Sequence, residues 1–472
     1  MLAGEALAYP EKIGLLDAYW STGQANPLGY PLFNALLQRL VPWTDAPWLW
    51  RVPSLVGCGL IITWGWLVRD EFGENSLFGF YTWTTLLVTS PMIFAFSTHA
   101  SSDVLPVGIL LISFWLLSKF VKSGSLLQLL TSAVLFGISS TVRYIAPYLA
   151  GYVIYLVFRV DASWRKRLLT VVTFGTISAA VLIAEIAWKV SRFDVLVSTR
   201  LSQNGPNFTD FSNWFFVALK YLSFVGMFFG LLPIFSISNR AKHSYLQLRH
   251  VLIVAVSILL AIASTGSINE GELNFGGGFA ISEQFFNFAI FGGFLNACIL
   301  IFVVVDRKSS WTEFEKAWFA SLTAFLVLIS ASRPTQRYLM YLIPVVLLFL
   351  VRKLFSVGKY VRRTAVLLNC ILFISVSLWG MSYLTSQGNA SEEMAVWVEE
   401  NDLISQTSAG AISPHAGQHW WGIDADKTRY EIIAVTPSAE TQVKERILHR
   451  EPMKVLGKVT RVYLLREIPA VP

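Results

Sequence analysis

Charge is what this chain has least of. Asp, Glu, Lys and Arg make up 14% of its 472 residues, and 54% are hydrophobic, where a soluble protein carries roughly 25% charge. That balance excludes an ordinary water-soluble globule. Cysteine is nearly absent. Cys58, Cys298 and Cys370 fall singly inside apolar runs. They form no CxxC spacing and read as small core hydrophobes. A basic stripe of the kind that binds nucleic acid is missing too. The net charge is +7, but the basic residues sit between apolar runs, where they orient membrane helices. No basic region followed by an apolar one opens the chain, so no cleavable signal peptide is read there. Neither an internal repeat nor a low-complexity tract is visible.

What the chain does have is hydrophobicity in lengths that suit a bilayer. Mean hydropathy is +0.55, and most apolar residues come in runs of about 17–24, enough to cross a hydrocarbon core of about 30 Å. About twelve spans are expected, at 50–68, 76–96, 104–121, 125–141, 144–158, 168–188, 213–236, 249–265, 285–305, 314–332, 337–351 and 364–384. One set of alternate loops, including Arg165-Lys166-Arg167 and the Lys359–Arg363 stretch, carries roughly twice the basic residues of the other. The positive-inside rule places that set in the cytoplasm. The polar first stretch, 1–49, is then outside, with 10–22 and 30–43 reading as short amphipathic helices at the interface. A membrane domain over 50–387 follows. From 388 to 472 the composition turns polar and mixed in charge. A helix at Glu392–Glu400, strands at Tyr430–Val435 and Val459–Leu465, and a helix near 438–449 make this a small α/β domain, also outside.

Few residues on the outer side can carry chemistry. The acids are Glu5, Glu11, Asp17 and Asp45 in the first loop, Asp103, and Glu270, Glu272 and Glu283 in the 266–284 loop. An acid at a membrane boundary is usually just solvated. Asp103 differs, because it stands at the mouth of a span beside His99, where desolvation is costly without a partner. Arg143, in Thr141-Val142-Arg143-Tyr144, lies nearly at lipid depth and needs an anion, either a carboxylate such as Asp103 or a phosphate. Arg333 and Arg337 form a second basic cluster at a span entrance, for which snorkelling to the interface is the plainer reading. His415 and His419 are four apart, but proline and glycine around them argue against a helix and no third ligand is evident, so no metal is expected. Gly276-Gly277-Gly278 lacks the ending of a P-loop.

The order of motifs matters more than any one of them. An acidic Gly4-Glu5 loop is followed by Gly29-Tyr30-Pro31-Leu32, Trp50-Arg51-Val52-Pro53-Ser54-Leu55 and Ser90-Pro91-Met92-Ile93-Phe94. Then come a Ser/Thr-rich loop ending in Asp103, Arg143-Tyr144, and Arg337-Tyr338 ahead of Leu342-Ile343-Pro344. Across nearly the whole chain this resembles the GT-C membrane glycosyltransferases, in the branch of the family 39 protein mannosyltransferases and the lipid A aminoarabinose transferases.

The resemblance implies an all-α polytopic fold with a small C-terminal α/β extracytoplasmic domain in the cell membrane. It also implies a polyprenyl-phosphate sugar donor, transfer on the outer face and inversion at the anomeric carbon. The acceptor is a glycan, lipid or protein, with no nucleic acid partner, no cofactor and no divalent metal. Glu5 and Asp103 take the catalytic roles, Arg143, Arg333 and Arg337 bind the lipid phosphate, and Tyr30 and His99 bind substrate. The chain departs from the family twice. Gly4-Glu5 stands where an Asp-Glu pair is expected, and the family's first membrane helix has no counterpart ahead of it. Glu11 or Asp17 can fill the role of Glu5. A twelve-span transporter or lipid flippase is the main rival. It calls for charges deep in span centres and for a repeat, whereas, residues at the very edges of spans apart, only Glu185 and Lys220 lie within spans, both toward an end. A polysaccharide ligase or polymerase using pyrophosphate-linked donors is a third reading.

Overall fold

A chain in hydrocarbon must satisfy its own backbone N–H and C=O groups, so its apolar runs fold as helices. The computed structural model describes residues 27–41, 47–73, 76–98, 102–159, 163–193, 211–236, 291–301, 311–331, 336–408, 429–435, 437–455 and 457–468. The helices are α1 Gly29–Leu40, α2 Val52–Leu67, α3 Ser76–Thr89, α4 Pro91–Thr98, α5 Val104–Ser123, α6 Leu126–Val142 and α7 Gly151–Phe158. They continue with α8 Trp164–Phe193, α9 Phe211–Phe228, α10 Phe291–Ile301, α11 Glu313–Ser330, α12 Ile343–Leu354 and α13 Lys359–Glu400.

Helix positions follow the apolar runs, but several runs do not make one straight span. Pro91 has no N–H to continue α3, and α4 leaves at 66° to it. The 144–158 run is a 3-10 turn, Ala146–Leu149, followed by α7, and the 337–351 run likewise opens as a 3-10 helix, Gln336–Tyr341, before α12. Against the twelve spans expected from sequence, three described helices are long and apolar enough to cross a membrane. These are α5, α8 and α13, with the bent α3–α4 pair a fourth if it counts as one span. The expected span at 249–265 lies outside the described residues.

Serine holds α5, α6 and α8 together where the hydrophobic effect gives helices little reason to associate. The Ser113 and Ser132 hydroxyls each donate to the other's carbonyl at 2.7 Å. Ser139 donates to Pro106 O at 2.9 Å, and Ser178 to Ala133 O at 2.9 Å. On the other flank α2 and α5 cross at Gly57 and Gly108. A methyl at either position would meet the opposite backbone at 2.5 Å, so only glycine permits this approach. The core between the helices is rich in aromatic side chains, with Trp64, Trp83, Phe114, Tyr152 and Trp318 all buried. The Trp83 indole donates to Pro344 O at 2.8 Å, pinning α3 to the start of α12.

α1 does not lie apart from the spans. Tyr30 and Phe33 pack against Leu60, Leu105, Ile109, Leu135, Ile138 and Val142 of α2, α5 and α6, while Leu32, Leu36 and Leu40 face outward. At the other end α13 runs unbroken through residue 388. Its last turns carry Met394 and Val398 into a second small core. That core is closed by a four-stranded sheet in the order β1 Thr407–Ser408, β2 Tyr430–Val435, β4 Lys458–Glu467 and β3 Ile447–Val455. β2 and β4 fall where the sequence reading puts strands. The expected helix near 438–449 is instead a single turn, Pro437–Glu440, followed by β3. β3 pairs antiparallel with β4, and that pairing overrides local helix preference. Pro452 is tolerated because β3 is an edge strand.

Candidate functional site

Asp103 and Arg143 are brought together by the α5–α6 pairing. Asp103 precedes the first turn of α5, and Arg143 follows the last turn of α6, where the backbone turns extended. The serine contacts that align the two helices therefore also align these ends. Arg143 Nη2 meets Asp103 Oδ1 at 2.7 Å, and the Asp103 side chain is only 4% exposed. Arg143 Nη1 donates to Ser102 Oγ at 3.2 Å. A buried carboxylate needs such charged partners.

A third chain segment completes the cluster. Arg337 Nη1 stands 3.8 Å from Asp103 Oδ2, with its side chain 46% exposed. One carboxylate thus faces two guanidiniums, one buried and one open, and the cluster carries a net charge of +1. Residues three apart share a face of a 3-10 helix, so Tyr338 and Tyr341 ride on one side of Gln336–Tyr341. Arg143 lies 5.8 Å from the centre of the Tyr338 ring. Tyr341 is buried within electrostatic reach of both Asp103 and Arg143, and among the described residues its hydroxyl has no hydrogen-bond partner. A buried, unpaired hydroxyl is unfavourable unless something completes it. Sequence reasoning passed over Tyr341. The signal available was its spacing from Arg337-Tyr338.

An apolar cavity of about 500 Å³ opens between α9 and α11, lined by Trp214, Phe215, Tyr221, Leu222, Leu326 and Val327. α9 also packs against Gln336–Tyr341, and Phe325 of α11 touches the Tyr341 ring. The walls of this cavity therefore adjoin the segment that bears Arg337.

Beside Arg143 lies a second buried polar group. The Tyr144 hydroxyl donates to Glu185 Oε1 and Oε2 at 3.0 and 2.9 Å, and Lys189 Nζ lies 3.0 Å from Glu185 Oε1. Lys189 also contacts the Tyr144 oxygen. The backbone N–H of Leu28 donates to Glu185 Oε1 at 3.0 Å.

Of the site residues expected from sequence, Asp103, Arg143 and Arg337 converge. Tyr30 is buried in the α1 interface, its hydroxyl 2.8 Å from Trp50 O and 3.1 Å from Ser54 Oγ. That placement gives its ring a packing role. Glu5, Glu11, Asp17, His99 and Arg333 lie outside the described residues, as do His415 and His419. Among the described residues no group of three or more His, Cys, Asp or Glu is arranged to hold a metal.

No family model and no curated protein matches the chain. Among solved structures it is similar to ArnT from Cupriavidus metallidurans in the apo state, with 11% identity and a TM-score of 0.42 over 93% of this chain and 87% of that one. It is also similar to the same protein bound to undecaprenyl phosphate, with 11% identity and a TM-score of 0.39 over the same shares. Overlap of this degree assigns no chemistry.

Proposed function

We propose that this protein is a membrane glycosyltransferase that moves a sugar from a polyprenyl-phosphate donor to an acceptor hydroxyl on the outer face of the membrane. The observation that carries the reading is the Asp103–Arg143–Arg337 cluster. It is a positively charged cluster at a helix boundary, with one guanidinium half-exposed. The Tyr341 hydroxyl, without a hydrogen-bond partner among the described residues, lies within electrostatic reach of it, and a helix lining an apolar cavity packs against the segment that bears Arg337. A phosphate monoester on an isoprenoid chain matches this combination. Two guanidiniums and a phenol serve the phosphate, and the apolar cavity serves the tail.

In the reaction the acceptor oxygen bonds the anomeric carbon and loses its proton to a carboxylate. The bond from that carbon to the phosphate oxygen breaks, and its electron pair leaves with the polyprenyl phosphate. Inversion at the anomeric carbon follows from direct displacement. Arg143 and Arg337 stabilise the charge that develops on the leaving phosphate. Asp103, already held by both, fits the role of orienting them. The proton acceptor is Glu5, with Glu11 and Asp17 as its alternatives. The sugar is a hexose or a pentose, and no cofactor or divalent metal takes part.

Transfer of radiolabelled sugar from a polyprenyl-phosphate donor, assayed in proteoliposomes with envelope lipid, glycan or protein acceptors, tests this. R143A is expected to lower the rate about 100-fold or more, on the scale of a lost transition-state donor. If R143A and R337A both kept the wild-type rate, the assignment of the site would fall. Passage of the lipid phosphate between leaflets with no sugar transferred would favour the transporter.

A further inference from the structure

The Tyr144–Glu185–Lys189 group has no place in the reaction just described, and it is too buried to meet substrate directly. Lys189 is 1% exposed and Glu185 8%. Glu185 lies near the end of α8, one of the three helices able to cross a membrane. Ionisable groups there are costly and demand an explanation. A plain ion pair needs only Lys189. This carboxylate also gathers Leu28 N–H, from the residue before α1, and Tyr144 O–H, from the residue after Arg143.

A second contact joins the same two segments. Gly29 lies so close to the end of α6 that a methyl there would meet the Val142 backbone nitrogen at 2.7 Å. The start of α1 is therefore fixed from two sides against Val142-Arg143-Tyr144. One side is the glycine contact and the other is the shared carboxylate.

We infer that Glu185 is a positioning residue. It clamps the start of α1 to the Arg143-Tyr144 turn and so holds the Arg143 guanidinium at Asp103. The inference rests on the phosphate-binding reading of Arg143. The acceptor oxygens of Glu185 do this work, and its charge is needed only to neutralise Lys189. An uncharged residue that keeps an acceptor oxygen therefore preserves the clamp, provided Lys189 is neutralised with it. An apolar pair of similar volume preserves the packing and loses the clamp.

The test uses two double variants of the full chain in nanodiscs, both free of an unpaired buried charge. E185Q/K189M keeps an acceptor at position 185, and E185L/K189M does not. Replacing a buried ion pair by apolar residues of similar volume is often neutral for stability, so both should fold. Two quantities are read: hydrogen exchange of the Leu28 amide, and affinity for tritiated polyprenyl phosphate. E185L/K189M is expected to lose Leu28 protection and bind about 10-fold more weakly. E185Q/K189M is expected to keep both within about 3-fold of wild type. A role in stability alone would move the two variants together, which overturns the inference. So would wild-type affinity in E185L/K189M. R143A is measured beside them. Weak binding by R143A with normal binding by E185L/K189M sinks only the clamp. Normal binding by R143A sinks the phosphate reading and the clamp with it.

Discussion

Arg143 and Arg337 share one carboxylate but not one environment, and their substitutions should separate accordingly. Arg143 is the short, buried partner, so R143A leaves a buried Asp103 short of its nearest counter-charge. Losses of this kind cost roughly 3–5 kcal/mol, and a thermal melt of R143A should show it. Arg337 is half in solvent and 3.8 Å away. R337A should change stability by about 0–1 kcal/mol while still weakening lipid-phosphate binding. If R337A melted as early as R143A, the two arginines would be equivalent structural partners.

The C-terminal sheet offers a pH test at the same scale. Burial, and a hydrogen bond and repulsion from Glu393, push the Glu451 carboxyl up to about 7 from its ordinary 4.5. The folded state therefore holds this proton where the unfolded chain has released it. The contribution is fully present below about 4.5, declines as pH rises and is gone above about 7. His449, 3.7 Å from Glu451 and stacked on Trp397, is pushed down by burial, so its contribution runs the other way and is lost at acid pH. Comparing wild type with E451Q isolates the contribution of the Glu451 carboxyl. E451Q should remove a fall in melting temperature between pH 5 and 7.5. Equal slopes in the two proteins would refute this.

At the scale of elements, the α2–α5 crossing is decided by two missing side chains. Gly57 and Gly108 let the backbones touch, and Asp103 immediately precedes α5. G108V should force the helices apart, cost about 1–3 kcal/mol by overpacking, and weaken lipid-phosphate binding by displacing Asp103. Binding equal to wild type in a folded G108V protein would show that the site tolerates that shift. Run length and period made the helices themselves legible in the sequence. Pro91 explains the bend between α3 and α4, though residue counting alone reads 76–96 as one span. The expected helix at 438–449 failed for a different reason. Helix preference is local, whereas the partner of Ile447–Val455 is β4, reached only through the fold.

For the molecule as a whole, α13 is shared between the membrane helices and the sheet. Its first half packs with the helical core through Ala365, and its last turns place Met394 and Val398 under the strands. M394D buries a charge there with no partner. It should make the strands sensitive to protease while the detergent-solubilised helices keep their far-ultraviolet circular dichroism. Collapse of both together would mean that the sheet braces the whole chain.

The sequence by itself determined that this is a helical protein built for lipid, that polar chemistry sits at helix boundaries, and that Asp103 and Arg143 are residues in need of partners. Those conclusions follow from local quantities: run length, hydropathy, and the cost of a lone charge near hydrocarbon. Only the tertiary structure decided that these two and Arg337 are partners, that Tyr341 lies beside them, and that Glu185 binds Leu28, which is 157 residues away. Contacts across such separations depend on helix crossings set by glycine and serine, and no period or composition in a single chain encodes them.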